Sequence, residues 1–471
     1  MDDSDFKHLR SRRDFFRTAA CAALGTAGLT NCLRDLRLIN AALAQGTGFP
    51  DYKALVCVFL SGGNDSNNLI IPYIQSEYDN YAAIRQNLAI LRSAVLPLSP
   101  LSSDGHDYAL HPNCPELATL FGEGKLATLF NTGTLLHPIT RAQYQAKSVA
   151  TPPQLFSHSD QVTQWQTSIP DQPPRTGWGG RLADLLQSQQ PAPQISLCTS
   201  LAGSNTFEVG NVVQQYSVST TGALTLPGSV SGNRLQAVKD LLAVPDVNLQ
   251  RTAYADVVAH AIATGDLLNT AIAPTAAANY WTAPFPTNNA KNSLGDQLKM
   301  AARMIQARAT LGMQRQIFFV SVGGYDTHTG QVTAADTATG AHANLLGEVS
   351  KSLFAFQRAM EQIGIPNSVT AFTASDFGRT FPTNGQGSDH GWGSHHLICG
   401  GAVRGRRTYG RFPTLAINGP DDTSTGRWIP TTSVDEYSAT LARWFGVSNT
   451  DIGTIFPNLG RFVTQGLGFM T

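Results

Sequence analysis

Three aspartates of this chain, Asp65, Asp326 and Asp376, each stand just after a short apolar run. Such runs predict buried strands, and open α/β sheets bind their ligands at the carboxyl ends of the strands. Three carboxylates brought to one edge of a sheet repel each other, and a divalent cation is the usual compensation. Taken singly, each aspartate could equally cap a helix or turn the chain. Together they predict a cation site.

Histidines add nitrogen ligands to this predicted site. His328 lies two residues after Asp326, and His390, His395 and His396 lie in the segment Asp-His-Gly-Trp-Gly-Ser-His-His. Aspartate and histidine without a neighbouring thiolate suit zinc, manganese or iron. The alternative for this segment is a polar turn, and either His395 or His396 could be a histidine at the edge of the core, because an apolar run follows. His328 is predicted to act as a ligand or as a general acid.

A serine nucleophile is predicted near the start of a helix. Ser157, His158 and Ser159 precede a helix-like stretch at residues 161–167, and the backbone amides of a helix N-terminus stabilise a developing anion. Ser157 is the first candidate for the nucleophile and Ser159 the second, and His158 is included among the catalytic residues. The alternative for both serines is helix capping.

Continuous apolar runs alternate along the chain with helix-like stretches such as residues 341–360. Runs without polar alternation are typical of strands that are buried on both faces of a parallel sheet. The chain is therefore predicted to have an α/β fold, with a mostly parallel sheet sandwiched by helices. A largely helical insertion at about residues 200–310 is predicted to form a cap over the site. The predicted strands are residues 54–60, 126–130, 194–198, 316–322 and 368–373.

The composition limits the class of protein. The 471 residues carry 33 basic and 33 acidic side chains, and only 14% of the residues are charged. Because a nucleic-acid-binding protein needs a basic surface, nucleic acid is excluded as a partner. A hydrophobic share of 42% without net charge also excludes intrinsic disorder. Cys57 and Cys399 lie within apolar runs, where a buried free thiol is expected.

The N-terminus has the pattern of an export signal. Residues 11–17 are Ser-Arg-Arg-Asp-Phe-Phe-Arg, a weakly apolar stretch follows, and residues 42–44 form a small-x-small cleavage site. Residues 1–44 are therefore predicted to be a twin-arginine signal peptide, with the twin-arginine translocase as a transient partner and a periplasmic or secreted location. The alternatives are an amphipathic helix of the mature protein and a lipid anchor at Cys32. No other stretch reaches the roughly 20 apolar residues that a membrane span needs.

An ordered set of segments carries a family resemblance. These are residues 60–65, 157–158, 176–181, 324–328, 375–380, 389–393 and 427–446, together with the twin-arginine start. This set resembles the domain-of-unknown-function 1501 family over essentially the whole chain, and members of that family are similar to the alkaline phosphatase and sulfatase superfamily. The resemblance implies the α/β fold of that superfamily, with residues 45–471 as a single domain, and a hydrolytic site for two cations.

Residue by residue, the resemblance implies a set of metal ligands, and Ser157 falls where the nucleophile of the superfamily is expected. The spacing of the ligand pair after the fourth predicted strand is shorter than usual, and Phe377 stands where Asp-His is often found, so the cofactor is predicted as one or two divalent ions. Zinc, manganese, calcium and iron are the candidate metals. The implied metal ligands are Asp65, Asp326, His328, Asp376, His390 and His395.

Four residues are predicted to contact the substrate: Asn64, Arg181, Arg379 and His396. A guanidinium group has the geometry to bind phosphate or sulfate with two parallel hydrogen bonds. The alternative for each arginine is a surface ion pair.

The resulting hypothesis is an exported, metal-dependent hydrolase that acts on a small-molecule or polysaccharide ester of phosphate or sulfate. The alternative is a non-catalytic periplasmic protein that keeps the fold for binding or assembly and acts on an envelope polysaccharide. An oxidoreductase partner is disfavoured, because no G-x-G-x-x-G segment stands at a strand–helix junction and no haem motif is present.

Overall fold

The computed structural model describes residues 34–39, 41, 48–190, 193–223, 232–245, 247–275, 281–286 and 293–471. The predicted twin-arginine motif lies outside these residues. Within the predicted leader, residues 34–39 are helical and Leu38 is buried in the core. Among the described residues, no helix combines the length and the hydropathy that crossing a membrane requires.

The strands follow the apolar runs of the sequence. They are β1 (Lys53–Leu60), β2 (Ile70–Pro72), β3 (Leu96–Pro97), β4 (Tyr108–Leu110), β5 (Leu126–Gly133), β6 (Cys198–Ser200), β7 (Tyr216–Ser219), β8 (Gly222–Ala223), β9 (Arg315–Val322), β10 (Val369–Ser375), β11 (Ser394–Gly400), β12 (Thr408–Tyr409) and β13 (Thr432–Ser433).

The helices occupy most of the intervening segments. They are α1 (Gln75–Arg85), α2 (Pro115–Gly122), α3 (Arg141–Ala146), α4 (His158–Thr167), α5 (Trp178–Leu186), α6 (Gly232–Leu242), α7 (Leu249–Ile272), α8 (Leu294–Gln306), α9 (Ala341–Gln362), α10 (Val434–Phe445) and α11 (Ile452–Ile455).

The main sheet has the order β12-β5-β11-β10-β1-β9-β6-β7-β8, and β13 also pairs with β5. Strands β10, β1, β9 and β6 are parallel, whereas β11 runs antiparallel to both β10 and β5. Leu60 at the end of β1 is in register with Ser375 of β10 and with Val322 of β9. The three central strands therefore end at one level, which brings the loops that follow them together.

Helices flank this sheet in two groups. One group contains α2, α8 and α9, in which α2 and α8 each pack on α9, and the other contains α4, α5, α10 and α11. The central strands are buried along almost their entire length, as continuous apolar runs require. The predicted α/β fold, a mostly parallel sheet enclosed by helices, is confirmed.

Two local differences from the sequence prediction have physical causes. The run at residues 194–198 forms a strand only from Cys198, because the backbone bends at the residues before it. Leu197 still accepts a hydrogen bond from the Ile317 amide of β9, at 2.7 Å. Strand β11, with His395 and His396 inside it, was not predicted, because its first residues form part of a polar, histidine-rich segment. All four cysteines of the described residues are buried free thiols.

The predicted helical insertion corresponds to α6 and α7, which follow the edge hairpin β7–β8. Helix α7 packs on β8, α6 and α8. Its last turns are buried, with Leu268 fully covered, while Leu249 and Tyr254 at its start are exposed. These contacts lie at the sheet edge, and β8 is four strands away from β1. Helix α8, also within residues 200–310, belongs to the core helices.

Candidate metal centre

Glycines allow the loops after β1, β9 and β10 to meet. Gly62 has a φ of 118°, and a Cβ atom there would lie 2.4 Å from the Asp326 amide nitrogen. A Cβ atom on Gly63 would lie 2.4 Å from the Phe377 ring. The Gly-Gly pair after β1 is therefore needed for the close approach of the loops that carry Asp326 and Asp376.

A tight hairpin after β10 positions His390. Arg379 and His390 form an isolated antiparallel bridge, and the Gly391 amide donates to the Gly378 carbonyl at 2.7 Å. Side chains on these glycines would collide with the opposite backbone, since a Cβ on Gly378 would lie 2.1 Å from the Gly393 carbonyl oxygen. The glycines of this segment thus fix the backbone on which His390 is displayed.

His158 is brought to the same place by the start of α4. It is the first residue of that helix and its ring packs on Phe377, with ring centroids 4.7 Å apart. The preceding Phe156 has a φ of 72°, a left-handed conformation that is uncommon for an aromatic residue. Its amide donates to the Gln161 side chain at 2.7 Å, which helps to hold this turn.

Three imidazoles and one carboxylate converge in front of the sheet edge. The Nε2 atom of His390 lies 3.1 Å from Nε2 of His158, 2.9 Å from Nε2 of His328 and 3.2 Å from Oδ1 of Asp326. Nε2 of His328 is 3.1 Å from the same Asp326 oxygen, and Nε2 of His158 is 3.6 Å from the other. Ligand atoms of His158, Asp326 and His390 all fit within 4.8 Å of one another.

The other nitrogen of each imidazole is held by an acceptor. Nδ1 of His158 is 2.7 Å from Asp376, Nδ1 of His328 is 2.8 Å from Asp389, and Nδ1 of His390 is 2.7 Å from the Phe156 carbonyl oxygen. Carboxylate and carbonyl oxygens only accept hydrogen bonds, so each Nδ1 carries the proton. In a neutral imidazole the lone pair is then on Nε2, and the Nε2 atoms of His158 and His328 both face Nε2 of His390. Partners of this kind are typical of histidines that bind metals.

This arrangement fits a bound cation. Unprotonated nitrogens about 3 Å apart repel each other, and a positive ion between them removes that repulsion. Tetrahedral zinc with Zn–N bonds of about 2.0 Å would place its ligand atoms about 3.3 Å apart, which is close to the 2.9–3.2 Å separations around His390 Nε2. The residues that would hold the ion are His158, His328, His390 and Asp326.

Hydrogen bonds and charges favour the ionised forms of Asp326 and Asp389, and burial favours the neutral form of His390. Burial alone would raise the pKa of Asp326, but the hydrogen bond and charge of Arg379 outweigh it and the pKa is lowered. The pKa of Asp389 is also lowered, because hydrogen bonds from Asn384 and His328 outweigh burial. Burial lowers the pKa of His390, and the neighbouring His158 and Arg379 act in the same direction.

Asp376 lies behind the cluster as a support for His158. Its side chain is buried, and its second oxygen accepts a hydrogen bond from the Gly62 amide at 3.0 Å. Both carboxylate oxygens of Asp376 are therefore occupied by the chain itself, one by the imidazole and one by the loop after β1.

Asp65 lies outside the cluster, although it stands at an equivalent strand end. It is fully buried and its carboxylate contacts Arg85, Gln331 and Asn67. Burial opposes ionisation of Asp65, but the charges of Arg85 and His342 and the hydrogen bonds from Arg85 and Gln331 together outweigh it, so the pKa of Asp65 is lowered. The compensating charge for Asp65 is thus a guanidinium group.

The predicted nucleophile sits beside the cluster at the N-cap of α4. The hydroxyl of Ser157 donates to Asp160 Oδ2 at 2.5 Å and does not cap the backbone of the helix. Ser159 is exposed and lies 3.3 Å from both the Ser157 hydroxyl and the Asp160 carboxylate. Ser157 is therefore paired with a carboxylate, whereas Ser159 is a peripheral member of the same group.

Asn64, His395, His396 and Arg181, four other predicted site residues, are buried and are not part of the cluster. Asn64 contacts His342 at 3.0 Å. His395 accepts from the Asn131 amide at 3.0 Å, His396 stacks on Tyr437, and burial lowers the pKa of both histidines to about 3. These two are histidines of the core, the alternative that the adjacent apolar run indicated.

Arg181 has a structural environment. Its guanidinium donates to the backbone carbonyl oxygens of Thr167, Thr176 and Ile455 at 2.6–3.0 Å. The glycines before it permit tight packing, since a Cβ on Gly180 would lie 2.1 Å from the backbone of the loop at residues 206–210. The Thr-Gly-Trp-Gly-Gly-Arg segment therefore fixes α5 against this loop.

Three contributors to the site were not assigned a role from the sequence. Asp389 supports His328, the Phe156 carbonyl supports His390, and Arg427 donates to the His390 carbonyl oxygen at 2.7 Å. The adjacency of Asp389 to His390 was a usable signal for the first. The other two depend on a backbone atom and on a contact between distant segments, which leave no local pattern.

Fold and site together define an α/β protein with a candidate mononuclear metal centre. Residues 52–451 match the family described as "Protein of unknown function (DUF1501)", and the chain belongs to this family. No curated protein sequence matches the chain at a significant level.

Several solved structures are similar to this chain at low identity. Ps i-CgsB in complex with k-i-k-neocarrahexaose has a TM-score of 0.33 at 9% identity, covering 86% of this chain and 76% of its own. The C-terminal periplasmic domain of EcEptC from Escherichia coli has a TM-score of 0.32 at 11% identity, covering 88% of this chain and 91% of its own. PsFucS1 sulfatase from Pseudoalteromonas sp. has a TM-score of 0.33 at 11% identity, covering 89% of this chain and 72% of its own. These scores are too low to transfer an activity or a site residue.

Proposed function

We propose that this protein is a metal-dependent hydrolase of a phosphate or sulfate ester. The observation that supports the proposal most strongly is the convergence of the His158 and His328 Nε2 atoms and the Asp326 carboxylate on Nε2 of His390, each within 3.2 Å of it. The cluster lies at the carboxyl ends of the central strands, where α/β enzymes bind their ligands. Its side chains are accessible, since His328 is 41% and Asp326 46% exposed.

The ligand set favours one ion of zinc, manganese or iron. Three imidazoles and one carboxylate suit these metals, whereas calcium prefers oxygen ligands alone. A second ion near Asp65 is not part of the proposal, because Arg85 already neutralises that carboxylate. A divalent ion, when bound, would polarise an ester oxygen and stabilise negative charge that develops on the phosphoryl or sulfuryl group.

The chain's own residues would orient the ligands and handle one proton. Asp376 and Asp389 fix the rings of His158 and His328, and Arg379 fixes Asp326 through a 2.7 Å hydrogen bond. In the proposed first step the Ser157 hydroxyl oxygen bonds to phosphorus or sulfur while its proton passes to Asp160. The ester oxygen departs and takes a proton from solvent, and water then hydrolyses the ester formed on Ser157.

Metal analysis of the purified full chain tests the centre. The wild-type protein is expected to hold about one equivalent of zinc, manganese or iron, and His390→Ala is expected to hold almost none, because it removes the nitrogen nearest to the other ligands. His106→Ala is the matched control, since that histidine is exposed and its ring contacts Glu77 and Tyr108, away from the cluster. Wild-type protein without a transition metal would contradict the proposal.

A panel of phosphate and sulfate esters tests the chemistry. Ser157→Ala and Asp160→Asn are expected to lower turnover by at least about 100-fold without changing the metal content, because nucleophile and base act as a pair. Metal-loaded wild-type protein that hydrolyses no ester of a broad panel would contradict the hydrolase and support the non-catalytic binding protein instead.

We also propose that residues 1–44 direct export by the twin-arginine route. Replacing Arg12 and Arg13 together by lysine is expected to retain the protein in the cytoplasm, as cell fractionation would show. N-terminal sequencing of the exported protein tests cleavage after Ala44. Export of the double variant at the wild-type level would contradict this route.

A further inference from the structure

Arg427 is a second cation beside the candidate metal centre, and its guanidinium group is only partly used. Its Nε donates to the His390 carbonyl oxygen at 2.7 Å, and its central carbon lies 4.4 Å from the centre of the Phe156 ring. Neither Nη atom has a hydrogen-bond partner among the described residues, and no carboxylate there lies within ion-pair distance. Arg427 is half-buried, so these donors are reachable from solvent.

The two arginines predicted from the sequence to bind an anion differ from Arg427. The Nη atoms of Arg379 are occupied by Asp326, the Gly62 carbonyl and the Ser388 carbonyl. Arg181 is fully buried and saturated by backbone carbonyls. Of these three arginines, Arg427 alone combines exposure, free donors and contact with a candidate metal ligand.

Several hydrogen bonds hold the loop that carries Arg427. Asp422 accepts hydrogen bonds from the Ser424 and Gly426 amides at 3.0 and 2.7 Å, and the Gly393 amide donates to the carbonyl of the next residue, Trp428, at 2.8 Å. The guanidinium is thus fixed through its backbone, through the Phe156 ring and through its Nε. A group fixed in this way loses little conformational entropy when it binds a ligand.

Charge balance also favours an anion at this position. With a divalent ion bound, the carboxylates of Asp326, Asp376 and Asp389 balance the ion and Arg379. The charge of Arg427 is then left without a partner. Asp160 of α4 accepts hydrogen bonds from the Ser157 and Ser159 hydroxyls and forms no ion pair with Arg427.

We propose that Arg427 binds the phosphate or sulfate group of the substrate through its two Nη atoms, on the side of His390 that faces Phe156. The inference rests on the proposed function and names the residue that selects an oxyanion for the site. A planar guanidinium presents two parallel N–H donors that match two oxygens of a tetrahedral oxyanion, which lysine cannot reproduce.

Calorimetric titration of the metal-loaded full chain with inorganic phosphate and with sulfate tests the role of Arg427. Arg427→Gln is expected to weaken binding of the preferred anion by about 10-fold to 100-fold, which corresponds to loss of one charge-assisted contact. Arg427→Lys is expected to recover part of the affinity. Arg404→Gln is the matched control, because Arg404 is exposed and follows β11 at the opposite end of the sheet. Metal content is measured in every variant.

A second measurement does not depend on the folding of a variant. In the wild-type chain, phenylglyoxal is expected to modify Arg427, and phosphate or sulfate is expected to slow this modification while leaving Arg404 unaffected, as mass spectrometry would show. Unchanged anion affinity in Arg427→Gln, or no protection of Arg427, would overturn the inference even if metal binding and hydrolysis are found. A protein without metal whose Arg427 is protected would instead overturn the proposed function alone.

Discussion

Asp65 and Asp326 occupy equivalent places in the fold and have opposite environments. Both follow central parallel strands whose ends are in register. Asp65 is fully buried and paired with the buried Arg85, whereas Asp326 is 46% exposed and faces three imidazole nitrogens. A carboxylate at a strand end therefore does not by itself identify a metal ligand. Because Arg379 contacts Asp326 just as Arg85 contacts Asp65, an arginine partner does not distinguish them either. What distinguishes Asp326 is its exposure and its three imidazole neighbours.

Replacing Arg85 is expected to have the largest effect and tests the contrast between Asp65 and Asp326. Arg85→Met leaves the Asp65 carboxylate buried and without its charge partner, so it is expected to lower the free energy of unfolding by about 3–5 kcal/mol. Asp326→Asn in metal-free protein is expected to cost less, at most about 2 kcal/mol, because the Asp326 carboxylate is partly solvated and the buried Arg379 keeps the Gly62 and Ser388 carbonyls as acceptors. Urea unfolding measures both. Equal losses in the two variants would show that the environments are not distinct.

The second prediction concerns removal of the ion. A chelator is expected to lower the stability of the metal-loaded wild type by about 3–4 kcal/mol at a metal concentration 100-fold to 1,000-fold above the dissociation constant. Thermal unfolding with and without the chelator measures the change. His390→Ala is expected to show no such difference, and His106→Ala is expected to behave like the wild type. A chelator effect of equal size in His390→Ala would place the ion elsewhere.

A smaller effect is expected when a supporting group is changed. Asp376→Asn keeps the shape of the side chain but weakens the acceptor for His158 Nδ1, so metal affinity is expected to fall by about 10-fold to 100-fold. Competition with a chromogenic chelator measures this change. Because Asp65 has no role in the cluster, Asp65→Asn in the fraction that folds is expected to leave metal affinity unchanged, and a fall equal to that of Asp376→Asn would reverse the assignment.

Glu208 is another buried carboxylate, and no cation of the described residues contributes to its pKa. It is fully buried, and burial raises its pKa to about 8, against hydrogen bonds from Asn205 and the Thr199 backbone that lower it. The unfolded chain releases this proton near pH 4.5, so Glu208 makes the protein less stable as pH rises from about 4.5 to 8.

Glu208→Gln removes this titration. Relative to the variant, the wild type is expected to lose at most about 1.4 kcal/mol of stability for each pH unit in that window. Urea unfolding at pH 5, 6 and 7 measures the slope of the difference. A difference that does not change with pH would mean that Glu208 is already ionised in the folded protein.

Much of the fold followed from local sequence patterns, and the exceptions are informative. Continuous apolar runs gave β1, β5, β9 and β10, because burial on both faces leaves a clear local signal. Strand β11 was missed because its polar start belongs to the histidine-rich segment, and its burial depends on pairing with β5 and β10.

The candidate site was likewise predicted only in part from the sequence. Asp326, His328 and His390 were expected as ligands from their types and positions, and they converge in the structure. His158 was predicted as a catalytic residue, but its Nε2 points into the cluster. The separation of Asp65 from the cluster could not be predicted, because Arg85 reaches it from a helix whose packing no local pattern reveals.

The sequence separation of the ligands has a consequence for how the protein acquires its ion. His158 and His390 are 232 positions apart, and they meet only after β1, β9 and β10 have paired. An unfolded or nascent chain therefore offers no preformed chelate, and selection of the ion falls to the completed fold. If the proposed export of folded protein holds, the ion carried across the membrane is the one available in the compartment where the chain folds.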